Sequence, residues 1–115
     1  MKPATCLISA VAMAMALAVS EPTSAQSDGV ASRGAAYAEN NCARCHGTGP
    51  GDKFSPMPGL APFRIIANTP GMTATAIAVW LRTPHKDMPN LVIEADDRAD
   101  LIAYIVSLRD PGNSK

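Results

Sequence analysis

Two thiols and an imidazole stand within five residues, Cys42-Ala43-Arg44-Cys45-His46. Cys-x-x-Cys-His is the spacing that attaches a c-type haem. Each thiol adds to one vinyl group of the porphyrin, and two intervening residues let both sulfurs reach the same edge. The adjacent imidazole is then held beside the iron as an axial ligand. Two other chemistries use paired cysteines. A redox disulfide of the thioredoxin type needs a βαβ setting, and nothing here alternates that way. A zinc site needs four donors, and past the first 25 residues only His85 is left to join the three. The motif therefore predicts one haem c, covalently attached through Cys42 and Cys45, with His46 on the iron.

His46 fills one side of the metal. The other side has four candidates, Met57, Met72, Met88 and His85. Met88 is the choice. It follows a helix end and a proline, and Pro89 restricts it to extended backbone, which would hold it in place. Met57 comes only 11 positions after His46, a short path around a disc. Met72 borders a helix start and reads equally well as core filler. His85 is the sharper rival, because two imidazoles also bind haem. Its plainer reading is a histidine near a propionate or the surface, able to tune the site near neutral pH.

The elements that must position these groups are few. The chain opens like a secretory signal, with Lys2 ahead of an apolar Leu7 to Val19 and small residues Thr23-Ser24-Ala25 before Gln26. Residues 1–25 are expected to be a signal peptide that takes Cys6 with it, and residues 26–115 to be one domain. Export places the protein in the bacterial periplasm, where an adjacent cysteine pair would oxidise unless captured by another chemistry. The remaining chain of about 90 residues buries only a small core, and a covalent haem would staple it. A large apolar cofactor also accounts for an aromatic content of 4%.

The net charge is zero. No basic run suggests nucleic acid, and no second hydrophobic segment suggests a membrane span after the signal is removed. Residues 26–93 hold six basic and four acidic side chains, and residues 94–115 hold three basic and five acidic. That is a mild positive bias around the motif, on what is most simply a mixed solvated surface.

Helical patterns fill the rest. Ser32 is placed to cap a helix over 33–40, after a polar lead-in at 26–29. Gly34 inside it signals close approach by another element. The Gly- and Pro-rich segment 47–62 reads as loop, tolerable because a cofactor replaces the missing core. A helical turn is expected over 63–67, a helix over 74–81 capped by Thr73, and a loop over 85–93. Leu101, Tyr104, Ile105 and Leu108 recur with helical spacing behind Asp96, Asp97 and Asp100, and Pro111-Gly112 stops that last helix. Ile77, Trp80 and Leu81 fall on one side of the 74–81 helix. No segment has period two, so the fold class is all-α, with three to four helices and long loops.

In order along the chain, Gly34, the Cys42–Gly47 motif, Pro84-His85-Lys86-Asp87-Met88-Pro89 and Asp100-Leu101-Ile102-Ala103-Tyr104-Ile105 resemble a small bacterial class I cytochrome c, monohaem with histidine and methionine ligands. The likeness covers residues 26–115. It implies that the first and last helices cross near Gly34 and Tyr104. It also implies a backbone carbonyl accepting the Nδ1–H of His46, from a loop in which Pro58 or Pro62 sits.

With six-coordinate iron, the expected function is a periplasmic carrier of single electrons between redox proteins, not an enzyme. Its transient partners would be a dehydrogenase, a quinol-oxidising complex or a terminal oxidase or reductase, met by a monomer. Arg44, Lys53, Arg82 and Lys86 are candidates for steering an acidic partner. The alternative is a haem-based enzyme or gas-binding sensor whose sixth ligand is labile.

Overall fold

A computed structural model describes residues 24–85 and 87–113, with side chains from Val30 onward. The expected signal segment ahead of Ser24, including Lys2 and Cys6, lies outside the described residues, as does Lys86. Four helices follow in order: α1 (Ser24–Asn41), α2 (Phe63–Asn68), α3 (Ala74–Trp80) and α4 (Ala95–Ser107). The described residues contain no strand, and the fold is all-α as the missing period-two pattern requires.

Helix α1 starts earlier than its sequence suggests. The stretch 26–29 is helical rather than a lead-in, and Ser32 lies inside the helix instead of capping it. Five alanines between positions 25 and 38 carry the helix, and one glycine at position 29 costs only about 1 kcal/mol. Thr73 does cap α3, its hydroxyl accepting from the Ala76 amide at 3.1 Å.

The main packing is α1 against α4, with α2 and α3 laid on α4. Leu101 and Ala38 are fully buried where the two long helices meet, and Ile105 and Leu108 continue the apolar face of α4. Gly34 is the closest point. A Cβ there would lie 2.5 Å from the Asp100 carbonyl carbon and 2.8 Å from Cβ of Tyr104. The crossing at Gly34 and Tyr104 is therefore as the family likeness implied.

Asp100 has a different job from its neighbours. Asp96 and Asp97 lie in the first turn of α4, where they oppose the helix dipole. Asp100 lies a turn later, is buried, and accepts from both Nε and Nη2 of Arg33 on α1, the latter at 3.0 Å. The bidentate pair clamps the same crossing that Gly34 makes room for. At the far end, Asn68 joins α2 to the end of α4, donating to the Leu108 carbonyl at 3.1 Å and accepting from the Asp110 amide at 2.8 Å.

Candidate cofactor site

The motif is a hydrogen-bonded turn directly after the end of α1. The Cys42 amide bonds back to the Ala38 carbonyl at 2.8 Å, and the Cys45 and His46 amides both return to the Cys42 carbonyl at 3.1 and 2.9 Å. Positions i, i+3 and i+4 fall on one face of such a turn, so both sulfurs and the imidazole are presented together. Cys42 is buried, Cys45 is half-buried, and both are free thiols. Burial, and next the charge of Cys45, pushes the Cys42 thiol up to about 11. Redox-active pairs depress a cysteine pKa to make a thiolate, so this turn lacks the electrostatics of a disulfide catalyst. Among the described residues, no three or more His, Cys, Asp or Glu side chains gather as a metal cage.

The loop 47–62 folds back to serve the histidine. His46 Nδ1 lies 3.0 Å from the Ala61 carbonyl oxygen. With Nδ1–H donating there, the tautomer leaves the Nε2 lone pair available to a metal. The acceptor is the carbonyl joined to Pro62, the second of the two prolines that the family likeness offered. Phe63 leans on the imidazole, with ring centroids 5.4 Å apart and planes at 43°. The Phe63 amide also bonds to the Gly47 carbonyl at 2.8 Å. A Cβ at position 47 would stand 2.6 Å from the Phe54 carbonyl oxygen, so glycine is required immediately after the histidine.

Thr48 holds this loop to both long helices. Its hydroxyl donates to Glu39 at 3.0 Å, and its carbonyl accepts from the Tyr104 hydroxyl at 2.5 Å. Burial, then the charges of Asp52 and Glu39, raises the Tyr104 pKa above its ordinary value. A phenol whose folded pKa is raised contributes stability that is whole below the unfolded value near 10 and is lost as pH rises beyond it. Tyr104→Phe should therefore cost about 1 kcal/mol at pH 7 and flatten the fall in stability above pH 10. Denaturant unfolding at pH 7 and in the alkaline range measures both effects. An unchanged alkaline slope would remove Tyr104 from the explanation.

Two cavities meet at the motif. The larger, about 450 Å³, is walled by Cys45, Met57, Leu60, Asp87 and Leu91 among others. The second, about 250 Å³, is walled mainly by apolar side chains including Phe63, Ile77, Ile93 and Ile105. Cys42, His46, His85 and Met88 line both. The combined space lies in the range of about 300–1,000 Å³ common for cofactor sites. A pair of unoxidised thiols, an imidazole with Nε2 unspent and an apolar slot between them fit a covalently attached haem.

The structure brings Met88 to this slot, half-buried, in a turn closed by its own amide bonding to the His85 carbonyl at 3.2 Å. Asp87, directly before it, has φ +64°, a left-handed conformation that aspartate tolerates better than most residues. Met57 is partly exposed at the larger cavity, and Met72 lines the smaller cavity while packing against the hydrophobic core. Trp80 is half-exposed on the wall of the smaller cavity, edge-on to His85 with centroids 5.3 Å apart. Arg44 borders the larger cavity, whereas Lys53 and Arg82 do not.

The sequence reading missed Thr48, Phe63 and the strained Asp87. Of these, only Phe63 carries a signal, since an aromatic residue directly follows the proline that fixes the histidine's acceptor.

Residues 29–105 match the family described as cytochrome C oxidase, cbb3-type, subunit III. The chain is 30% identical over 95 residues to Cytochrome c-552 of Bradyrhizobium diazoefficiens, covering 83% of this chain and 90% of that protein. No solved structure matches.

Proposed function

Because this chain belongs to the cytochrome c family described by the cbb3-type oxidase subunit III, we propose that it is an exported carrier of single electrons between redox proteins. The cofactor of the family is covalently attached haem c, which supplies a reversible one-electron couple when bound. In this reading Cys42 and Cys45 would form the two thioethers, and His46 Nε2 and the Met88 sulfur would hold the iron. The Ala61 carbonyl fixes the ring orientation of His46 and adds to its donor strength. Met88 opposite an imidazole favours the ferrous state and raises the potential. Phe63, Ile77, Ile93 and Ile105 give one side of the slot an apolar wall.

The observation that carries this reading is the meeting of Cys42, His46 and Met88 on the same two cavities, with the histidine tautomer already set for a metal. Two axial ligands leave no position for substrate, which favours a carrier over the rival reading of an enzyme or gas sensor. Arg44 at the larger cavity is placed to attract an acidic partner, and a carrier's contact area is small, about 1,200 Å² or less. The apolar run in residues 7–19 supports export to the periplasm and cleavage after Ala25. No helix among the described residues is long and apolar enough to cross a membrane.

The test is optical. The oxidised protein should show the weak sulfur-to-iron charge-transfer band at the red end of the spectrum, and the reduced protein should not bind CO. Rapid CO binding to the native reduced protein would overturn the carrier reading in favour of the sensor or enzyme. Copurification with a larger redox chain would mark it as a dedicated subunit instead of a free carrier.

A further inference from the structure

The geometry points to His85 as a reserve axial ligand, able to take the place of the Met88 sulfur so that the metal stays six-coordinate when the thioether leaves. This inference rests on the assignment of His46 and Met88 made above.

Three observations carry it. First, four residues line both cavities, and His85 is among them with Cys42, His46 and Met88. Second, His85 is prepared in the same way as His46. Its Nδ1 lies 3.0 Å from the Thr83 carbonyl oxygen, so Nδ1–H donates there and the Nε2 lone pair is left for a metal. Trp80 fixes the ring from the side, with the two planes at 83°. Third, the two side chains share one turn, since the Met88 amide bonds to the His85 carbonyl. Asp87, within that turn, has a left-handed backbone that a non-glycine residue adopts at some cost. His85 and Met88 both lie in the loop between α3 and α4, outside any helix.

The exchange is a simple substitution of ligands. The sulfur–iron bond would break, the Nε2 lone pair would form the new bond, and the proton would stay on Nδ1, still donating to the Thr83 carbonyl. No electron or co-reactant is required. The consequence is a lower potential, because imidazole replaces a thioether, and a metal that remains closed to CO and peroxide.

The chain contains only two histidines, which makes the test decisive. Any bis-imidazole spectrum from a dilute monomer must come from His46 and His85. Oxidised Met88→Leu should lose the thioether band and remain low-spin, with a bis-imidazole signature in electron paramagnetic resonance. After reduction it should still exclude CO. The double variant Met88→Leu, His85→Ala should be high-spin and bind CO. High-spin iron in Met88→Leu alone, or low-spin iron persisting in the double variant, would overturn the inference. If the substituted proteins do not mature, the intact protein is examined in guanidinium below its unfolding transition. As the thioether band fades, a bis-imidazole signature supports the reserve role and a high-spin signature defeats it. A native protein that is already bis-imidazole would instead show that Met88 was misassigned.

Discussion

Gly34→Ala is expected to destabilise the protein by about 2–4 kcal/mol, although the same change in an exposed helix is worth roughly 0.5–1 kcal/mol in the stabilising direction. The sign reverses because of what the new methyl group meets. The nearest atoms are the Asp100 backbone carbonyl and Cβ of Tyr104, neither of which can turn aside as a flexible side chain can. The helices α1 and α4 would have to separate, which loosens the Arg33–Asp100 pair and the packing of Ala38 and Leu101. Gly34→Val should cost about 4 kcal/mol or more, a large part of a marginal total of about 5–15 kcal/mol. For a domain of this size each kcal/mol lowers Tm by about 4–8 °C. Gly51→Ala is the control, because nothing lies within 4 Å of a Cβ at that position. Thermal melting of the three holoproteins settles the matter. An unchanged Tm in Gly34→Ala would show that the crossing is not tight in solution.

Replacing both motif cysteines, Cys42→Ser with Cys45→Ser, should have the largest effect of any change. Intact-mass measurement should show a chain without attached porphyrin, and circular dichroism should show most of the helix lost. The reason lies in how little the protein supplies for its own core. Among the described residues only nine hydrophobic side chains are buried, and two of those are alanines. Without a disc filling the slot, Phe63, Ile77, Ile93 and Ile105 border open space instead of partners. The single variants should differ. Cys42 sits buried on the wall of both cavities, whereas Cys45 is half-exposed on the larger one alone. Cys45→Ser should therefore retain more holoprotein than Cys42→Ser. Equal losses would mean that attachment depends on the number of thioethers rather than on their surroundings.

Much of this was legible from the residues, for identifiable reasons. The Cys42–His46 motif is a local chemical constraint, and one hydrogen-bonded turn satisfies it. The last helix was readable because Leu101, Ile105 and Leu108 keep strict helical spacing. Gly34 announced a close approach because a glycine in the middle of a helix costs stability that a neighbouring element can justify. The start of α1 was misplaced because Ser32 looks like a cap, and cap chemistry competes locally with the propensity of a whole alanine-rich stretch. The partnership of Asp100 with Arg33 was hidden by the 67 residues that separate them. Thr48 was hidden in a different way, since one of its two ties runs through its carbonyl, which every residue possesses.

The same anonymity protects the histidine. The acceptor that orients His46 belongs to the main chain at Ala61, so no side-chain replacement at position 61 deletes it. A carboxylate or amide in that role could be erased by one codon change. Here the electronic character of the imidazole is inherited from the course of the loop itself. Random mutagenesis aimed at the potential should find few variants at position 61 and more at Pro62 and Gly47, where the path of the backbone is decided.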